Sequence, residues 1–291
     1  MAENGALMQG KRGLVMGVAN DHSIAWGIAR MLKAHGAELA FTYQGEAQAK
    51  RLRRLVSGNS TLMMPGDVEK DDELDRTFET LKKEWGAIDF LVHAIAYSDK
   101  NELSGRYVDT SRANFTRSLD ISCYSFTAVA RRASRLMTPP ANGGTGGSLV
   151  TLTYLGAQRV TPNYNVMGVA KAALEASVRY LAADLGRDGI RVNAISAGPM
   201  RTLAGSAVGD ARTVFKWNRA HSPLKKNIEL DHVGGAALYL LSDLSGGVTG
   251  EIHYVDAGFN IVGMPPTADL RGWTAPENGG SDGETNARVE D

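Results

Sequence analysis

Cys123 is the only cysteine in the chain, so no disulfide can form within it, and this usage fits a reducing compartment. The opening stretch MAENGALMQGKRG lacks the charged start and apolar run of a secretory signal. Nowhere do about 18 apolar residues follow one another, as a membrane-spanning helix requires. A soluble cytoplasmic protein is therefore expected. An excess of one charge is also missing: 32 Lys and Arg balance 32 Asp and Glu, without the basic surplus of a nucleic-acid binder. His22, His35, His93, His221, His232 and His253 are scattered without metal-ligand spacing, so no metal is expected. His93, at a strand end, reads as structural. Cys123 has no evident basic partner and reads as a packed thiol rather than a nucleophile. The absence of a Gly-x-Ser-x-Gly elbow argues against an α/β-hydrolase.

With 291 residues, 43% of them hydrophobic, the chain can build a large core without disulfide or metal. Short β-branched runs predict strands over 13–17, 38–43, 61–64, 88–93, 148–153, 191–195 and 251–255. Between them, helical patterns cover 23–35, 46–56, 71–85, 111–137, 164–186 and 230–242. Such alternation predicts an α/β fold: one doubly wound, Rossmann-like domain over 10–263 with a seven-stranded parallel sheet. Both faces of such a sheet are covered, which accounts for the near-continuous apolar strands. Residues 1–9 are expected to form an N-terminal tail, and 138–147 a surface loop. The long connection 198–229 is expected to be a substrate-binding loop. Residues 264–291 are polar and read as a C-terminal tail, flexible or held by a neighbouring subunit.

The first strand leads into Gly17-Val18-Ala19-Asn20-Asp21-His22-Ser23-Ile24-Ala25-Trp26-Gly27, which opens a helix. A dinucleotide-binding fold puts its pyrophosphate at this point, over the helix N-terminus. Gly17 permits a tight turn, Ser23 can cap the helix or meet a phosphate, and Gly27 would let helix and sheet approach closely. The spacing departs from the common G-x-G-x-x-G, so a plain capped loop is the competing reading. Gln44, ending the second strand, stands where an acidic residue often binds the adenosine ribose. Uncharged, it leaves NADH and NADPH both open. Asp67, followed by Val68, either bonds the adenine amino group or caps the next helix. Small Ala94 and Ala96 after the fourth strand would let a cofactor lie close to the backbone.

Tyr154 ends the fifth predicted strand, and Tyr164 and Lys171 follow, seven residues apart. Two turns of helix drift by only about 20°, so both side chains are expected to face one site. An ammonium beside the phenol would favour the phenolate and strengthen hydrogen-bond donation to developing negative charge.

Residues 153–182, TYLGAQRVTPNYNVMGVAKAALEASVRYLA, carry a resemblance, as do RVNAISAGPMRTLA at 191–204, ANDHSIAWGIA at 19–29 and AELAFTYQ at 37–44. They resemble the NADH-dependent bacterial enoyl-acyl-carrier-protein reductases, a divergent branch of the short-chain dehydrogenases/reductases, over about residues 10–263. Ordinary members have Tyr-x3-Lys after a catalytic Ser, whereas here the spacing is Tyr-x6-Lys, with Tyr154 near the Ser position. Ala94 and Ala96 also depart from the Ser and Gly common in the branch.

The resemblance implies an NADH site lined by Gly17, Ser23, Ile24, Gln44, Asp67, Val68 and Ile95. Lys171 would hold the nicotinamide ribose, and Met200, Arg201, Thr202, Leu203 and Ala204 would cover the nicotinamide and phosphates. Ser98 would contact the acyl substrate. Tyr164 would bond the thioester carbonyl, and Tyr154 would line the acyl pocket near the reacting carbons. Hydride would add at C3 of a trans-2-enoyl thioester; a tyrosine or a water would deliver the C2 proton. Acyl carrier protein is the implied partner, with basic Arg201, Arg212, Lys216, Arg219, Lys225 and Lys226 forming a docking portal or simply a solvated loop. A homotetramer built partly through the long helices is implied as well. The competing activities are a ketoreductase or alcohol dehydrogenase of the same superfamily, and a non-catalytic NAD(H)-binding regulator.

Overall fold

A computed structural model describes residues 6–56, 61–137, 146–202 and 211–264. Seven strands, β1 (Arg12–Met16), β2 (Glu38–Tyr43), β3 (Met63–Pro65), β4 (Phe90–His93), β5 (Gly147–Thr153), β6 (Ile190–Ala197) and β7 (Ile252–Val255), form one sheet in the order β3-β2-β1-β4-β5-β6-β7. Every neighbouring pair is parallel. The strand order reverses between β1 and β4, and a crevice opens at the carboxyl ends of strands at such a point.

The helices are α1 (Ile24–Ala34), α2 (Gly45–Leu55), α3 (Asp71–Trp85), α4 (Arg112–Leu119), α5 (Ser125–Ser134), α6 (Asn165–Leu185), α7 (Ala211–His221) and α8 (Leu230–Leu241). Alternate β1 side chains serve opposite layers, as period-two geometry requires. Val15 joins Ile28 and Leu32 of α1, Leu52 of α2 and Val233 and Ala237 of α8. Leu14 and Met16 join Leu74 and Phe78 of α3, Phe126 of α5 and Leu174 and Val178 of α6. Each fully buried Leu, Ile or Phe of this kind contributes about 1.5–3 kcal/mol. Met8, within the stretch expected to be a tail, is wholly buried, and its amide donates to His35 O at 3.0 Å.

Three local features depart from the sequence pattern. The single helix expected over 111–137 runs as α4 and α5 joined by a π turn, Asp120–Tyr124. Such insertions recur at functional sites, and here Ser122 of the turn accepts from the Tyr97 amide at 2.9 Å. The connection 198–229 contains a helix, α7, that its loop-like reading missed. Gly27 makes room for a helix rather than for the sheet: a Cβ there would stand 2.8 Å from Leu230 Cβ at the start of α8.

Candidate active site

One cavity of about 1400 Å³ runs along the carboxyl edge of the sheet. Gly17, Gln44, Asp67, Ala94, Tyr154 and Gly198, which all line it, follow β1, β2, β3, β4, β5 and β6 respectively. Ser23, Ile24, Val68, Ile95, Ser98, Tyr164, Lys171, Met200, Arg201 and Thr202 line it as well. Leu203 and Ala204 lie outside the described residues.

At one end of the cavity, Gly17 has φ +96°, and a Cβ there would stand 2.1 Å from Ala94 O. Only glycine fits that close approach between β1 and β4. Ser23 occupies the N-cap position of α1, but its side chain makes no cap bond; Oγ donates instead to Asn20 O at 2.5 Å. The helix N-terminus thus keeps donors for an anionic group. The Gln44 amide donates to Gln48 Oε1 at 2.5 Å, and Gln48 Nε2 donates to Val18 O at 2.8 Å. Gln48 ties the glycine loop to α2. Sequence reading passed over it, although its place one turn after Gln44 was the available signal.

Asp67 does not cap α3, whose N-cap is Lys70. Its Oδ1 accepts from the Glu69 amide at 3.2 Å, and its own amide donates to Glu73 Oε2 at 2.9 Å. Close by, Arg117 binds both oxygens of Glu69 at 2.9 Å and lies over the Tyr97 ring, 4.4 Å from its centroid. All three residues line the cavity, and nothing in the sequence pattern singles them out. The pair is half-exposed, so solvent screens it and it contributes little to stability. Ser98 Oγ donates to Asn114 Oδ1 at 3.3 Å.

At the other end, Tyr164 is not on the helix, as its spacing from Lys171 predicts, but at the N-cap of α6 with φ −113°. Asn163 and Asn165 on either side have φ 58° and 31°. Left-handed conformations are tolerated best by Asn and Gly, and they bend the chain sharply here. Asn165 Nδ2 donates to Glu102 O at 3.1 Å and anchors the bend. Gly156 leaves space for the Tyr164 ring, since a Cβ there would stand 2.4 Å from Tyr164 Cδ1. Burial pushes the Tyr164 phenol far above its ordinary range, and Tyr154 and Glu175 add to the effect. Burial also raises Tyr154, against a hydrogen bond from Thr161. Both phenols therefore keep their protons at neutral pH. The expected activation of Tyr164 by Lys171 is not what governs this phenol; desolvation does.

Lys171 is 5% exposed, and its ammonium donates to Leu152 O at 2.8 Å. Burial draws its pKa down to about 8, against the upward pull of Cys123 and Glu175. His93 is fully buried between Thr151 Oγ1 at 3.0 Å and Ser125 Oγ at 2.9 Å. Its pKa falls to about 3 through burial, with a smaller push from Lys171, so the ring is neutral and structural. Among the basic residues of the long connection, Arg201, Arg212 and Lys216 line the cavity. The Arg201 guanidinium lies 5.1 Å from the Phe215 ring centroid and ties residue 201 to α7.

The family profile described as enoyl-(acyl carrier protein) reductase matches residues 17–260. Enoyl-(acyl-carrier-protein) reductase (NADH) 2 of Rhizobium meliloti is 61% identical over 266 residues, 91% of this chain and 97% of the relative. A crystal structure of the reductase from Anaplasma phagocytophilum in complex with NAD superposes with a TM-score of 0.85 at 56% identity, over 90% of this chain and 98% of that one. The Bacillus cereus enzyme with NADP+ and indole naphthyridinone gives a TM-score of 0.85 at 51% identity, over 89% of this chain and 99% of that one.

Proposed function

Because the chain belongs to the enoyl-(acyl carrier protein) reductase family, we infer that it reduces trans-2-enoyl-acyl carrier protein to the saturated acyl carrier protein with NADH, the last step of the elongation cycle in type II fatty acid biosynthesis. The observation that carries this reading is the meeting of Tyr154, Tyr164 and Lys171 in one cavity that continues to the Gly17 turn and the open N-terminus of α1.

The residues present suit NADH. Gly17 keeps the β1 loop close to Ala94, and the cavity is long enough in its lining to run from Gln44 and Asp67 to Lys171. Gly17, Ser23, Ile24, Gln44, Asp67, Val68 and Ile95 would hold the adenosine and phosphates. Lys171 would hold the nicotinamide ribose, and Met200 to Ala204 would cover the far end. When bound, NADH supplies the hydride for C3 of the enoyl thioester.

The chain's own residues stabilise the charge that forms, and a proton from a tyrosine hydroxyl or a water must then reach C2 to complete the saturated chain. Negative charge develops on the thioester oxygen, one conjugated step from C3. Tyr164, a phenol that keeps its proton, donates a hydrogen bond to that oxygen. Tyr154 packs against Tyr164 and walls the acyl pocket beside the reacting carbons, with Ser98 on the substrate's path. Arg212 and Lys216, at the cavity, favour approach of an acidic acyl carrier protein.

The reading extends to the whole chain. On this reading residues 10–263 are the reductase domain and 198–229 its substrate-binding loop, while most of the expected surface loop 138–147 and of the expected tail 264–291 lies outside the described residues. Among the described residues, no helix is long and apolar enough to cross a membrane. Exposed Tyr180 and Val169 of α6 and Tyr124 of the π turn offer apolar surface for a homotetramer; sedimentation of the full chain as a monomer would rule that assembly out. The activity is tested by following NADH and NADPH oxidation with crotonyl and 3-oxobutyryl thioesters. Turnover of crotonyl thioester with NADH is expected. Turnover of the oxo compound alone would make it a ketoreductase, and binding of NADH without turnover a regulator.

A further inference from the structure

Behind the cavity wall lies a carboxylate that the proposed chemistry leaves unused. Glu175 is 4% exposed and stands one helical turn beyond Lys171 on α6. Burying a carboxylate is costly unless its oxygens find donors. Thr153 Oγ1 donates to Oε1 at 2.8 Å, and Gln158 Nε2 donates to Oε2 at 3.2 Å. Those donors bracket Tyr154. Thr153 is the last residue of β5, and Gln158 ends the 3-10 turn Leu155–Ala157 that follows Tyr154. One carboxylate thus joins the strand, the turn and the helix that carry Tyr154 and Lys171.

We propose that Glu175 is a positioning residue for the reductase reaction: its carboxylate clamps the Tyr154 turn, through Thr153 and Gln158, to α6, the helix that carries Lys171. The proposal rests on Lys171 as the residue that holds the cofactor ribose.

The groups around this charge are few. Lys171 faces His93 from β4, which is neutral, Cys123 from the π turn, and Glu175 on its own helix. Burial raises the phenols of Tyr164 at the start of α6 and of Tyr254 on β7, and Glu175 adds to the effect at both. Burial pulls Lys171 down to about 8, and Cys123 and Glu175 oppose it. The cationic form is therefore lost as pH rises through about 8. Without Glu175 that loss begins at lower pH.

The test is NADH affinity of the full chain, by NADH fluorescence from about pH 6 to 10, with kcat for crotonyl thioester. In the parent protein the affinity should fall above about pH 8. Glu175→Gln keeps the volume and removes the charge; its break should move to acid by about half a unit or more, and kcat should fall about threefold to tenfold. An unmoved break with unchanged kcat overturns the proposal. Lys171→Met separates the two readings: if it leaves NADH affinity intact, the ribose role itself fails. If it weakens binding while Glu175→Gln behaves as the parent, only the Glu175 assignment fails. Should Glu175→Gln not fold, Thr153→Val cuts the shorter hydrogen bond and leaves the charge. It should lower kcat with the affinity break in place, and an unaltered kcat overturns the clamp.

Discussion

Tyr154 and Tyr164 meet edge to face, their ring centroids 5.1 Å apart and their planes at 70°. Aromatic pairs favour this arrangement by about 0.5–1.5 kcal/mol beyond the area they bury. The contact joins the end of β5 to the start of α6 and lines the cavity with two phenols. Because burial keeps both protonated, the pair offers hydrogen-bond donors rather than phenolates.

Tyr164→Phe keeps the ring contact and removes the donor. Loss of one oxyanion donor costs about 100-fold to 1000-fold in turnover. Steady-state kinetics with crotonyl thioester should show a fall of that order in kcat, while NADH affinity stays within about twofold. A loss confined to NADH binding would move Tyr164 out of the chemistry.

Lys171→Ala removes a charged donor from the ribose end. Hydrogen bonds of charged groups contribute about 1.5–3 kcal/mol, so NADH affinity should weaken at least about tenfold. Calorimetry at pH 7 would detect this directly. The weakening should shrink as the pH rises past about 8, where the parent ammonium loses its proton.

Gly156→Ala tests the space that Tyr164 needs. The added methyl would stand 2.4 Å from Tyr164 Cδ1 and 3.3 Å from Tyr154 Cδ1. The ring must shift, at a cost of about 1–3 kcal/mol. Turnover should fall about tenfold or more through misplacement of the hydroxyl, with a lowered melting temperature. Parent-like kinetics would show that the ring position is not critical.

His93 gives a pH-dependent stability. Its folded pKa, about 3, lies below the ordinary 6.5 because burial disfavours the charged ring. Between these values the unfolded chain binds the proton and the folded chain does not. Stability therefore falls as pH drops through that window, by up to about 1.4 kcal/mol per pH unit from this one group. His93→Gln should flatten the slope of urea-unfolding free energy against pH between about 6.5 and 4. An unchanged slope would assign the acid sensitivity elsewhere.

Much of this site was legible in the chain. The alternation of apolar strands and amphipathic helices is local physics, and it sufficed for a seven-stranded parallel sheet. Loops after successive strands must gather at one edge of such a sheet, so Gly17, Gln44, Asp67, Ile95 and Tyr154 were expected together. All of them line the one cavity.

Other features had no local signature. An inserted residue in a π turn leaves the helical periodicity nearly intact, so 111–137 read as one helix. Spacing put Tyr164 on α6, but the left-handed Asn163 and Asn165 hold it just outside. Gly27 was assigned to the sheet because a local pattern does not reveal that α8, some 200 residues later, is its neighbour. Asp67 had two readings, and the Lys70 cap removed one.

By itself the sequence determined which residue types carry the chemistry and the order in which strands and helices follow one another, because propensity and periodicity act within a few residues. Tertiary structure alone decided the environment of those residues. Burial sets the protonation of Tyr164 and Lys171, and Thr153 and Gln158 meet Glu175 only after β5 packs against α6. Desolvation and long-range hydrogen bonds depend on what surrounds a group in space, and that is established only when the chain has folded.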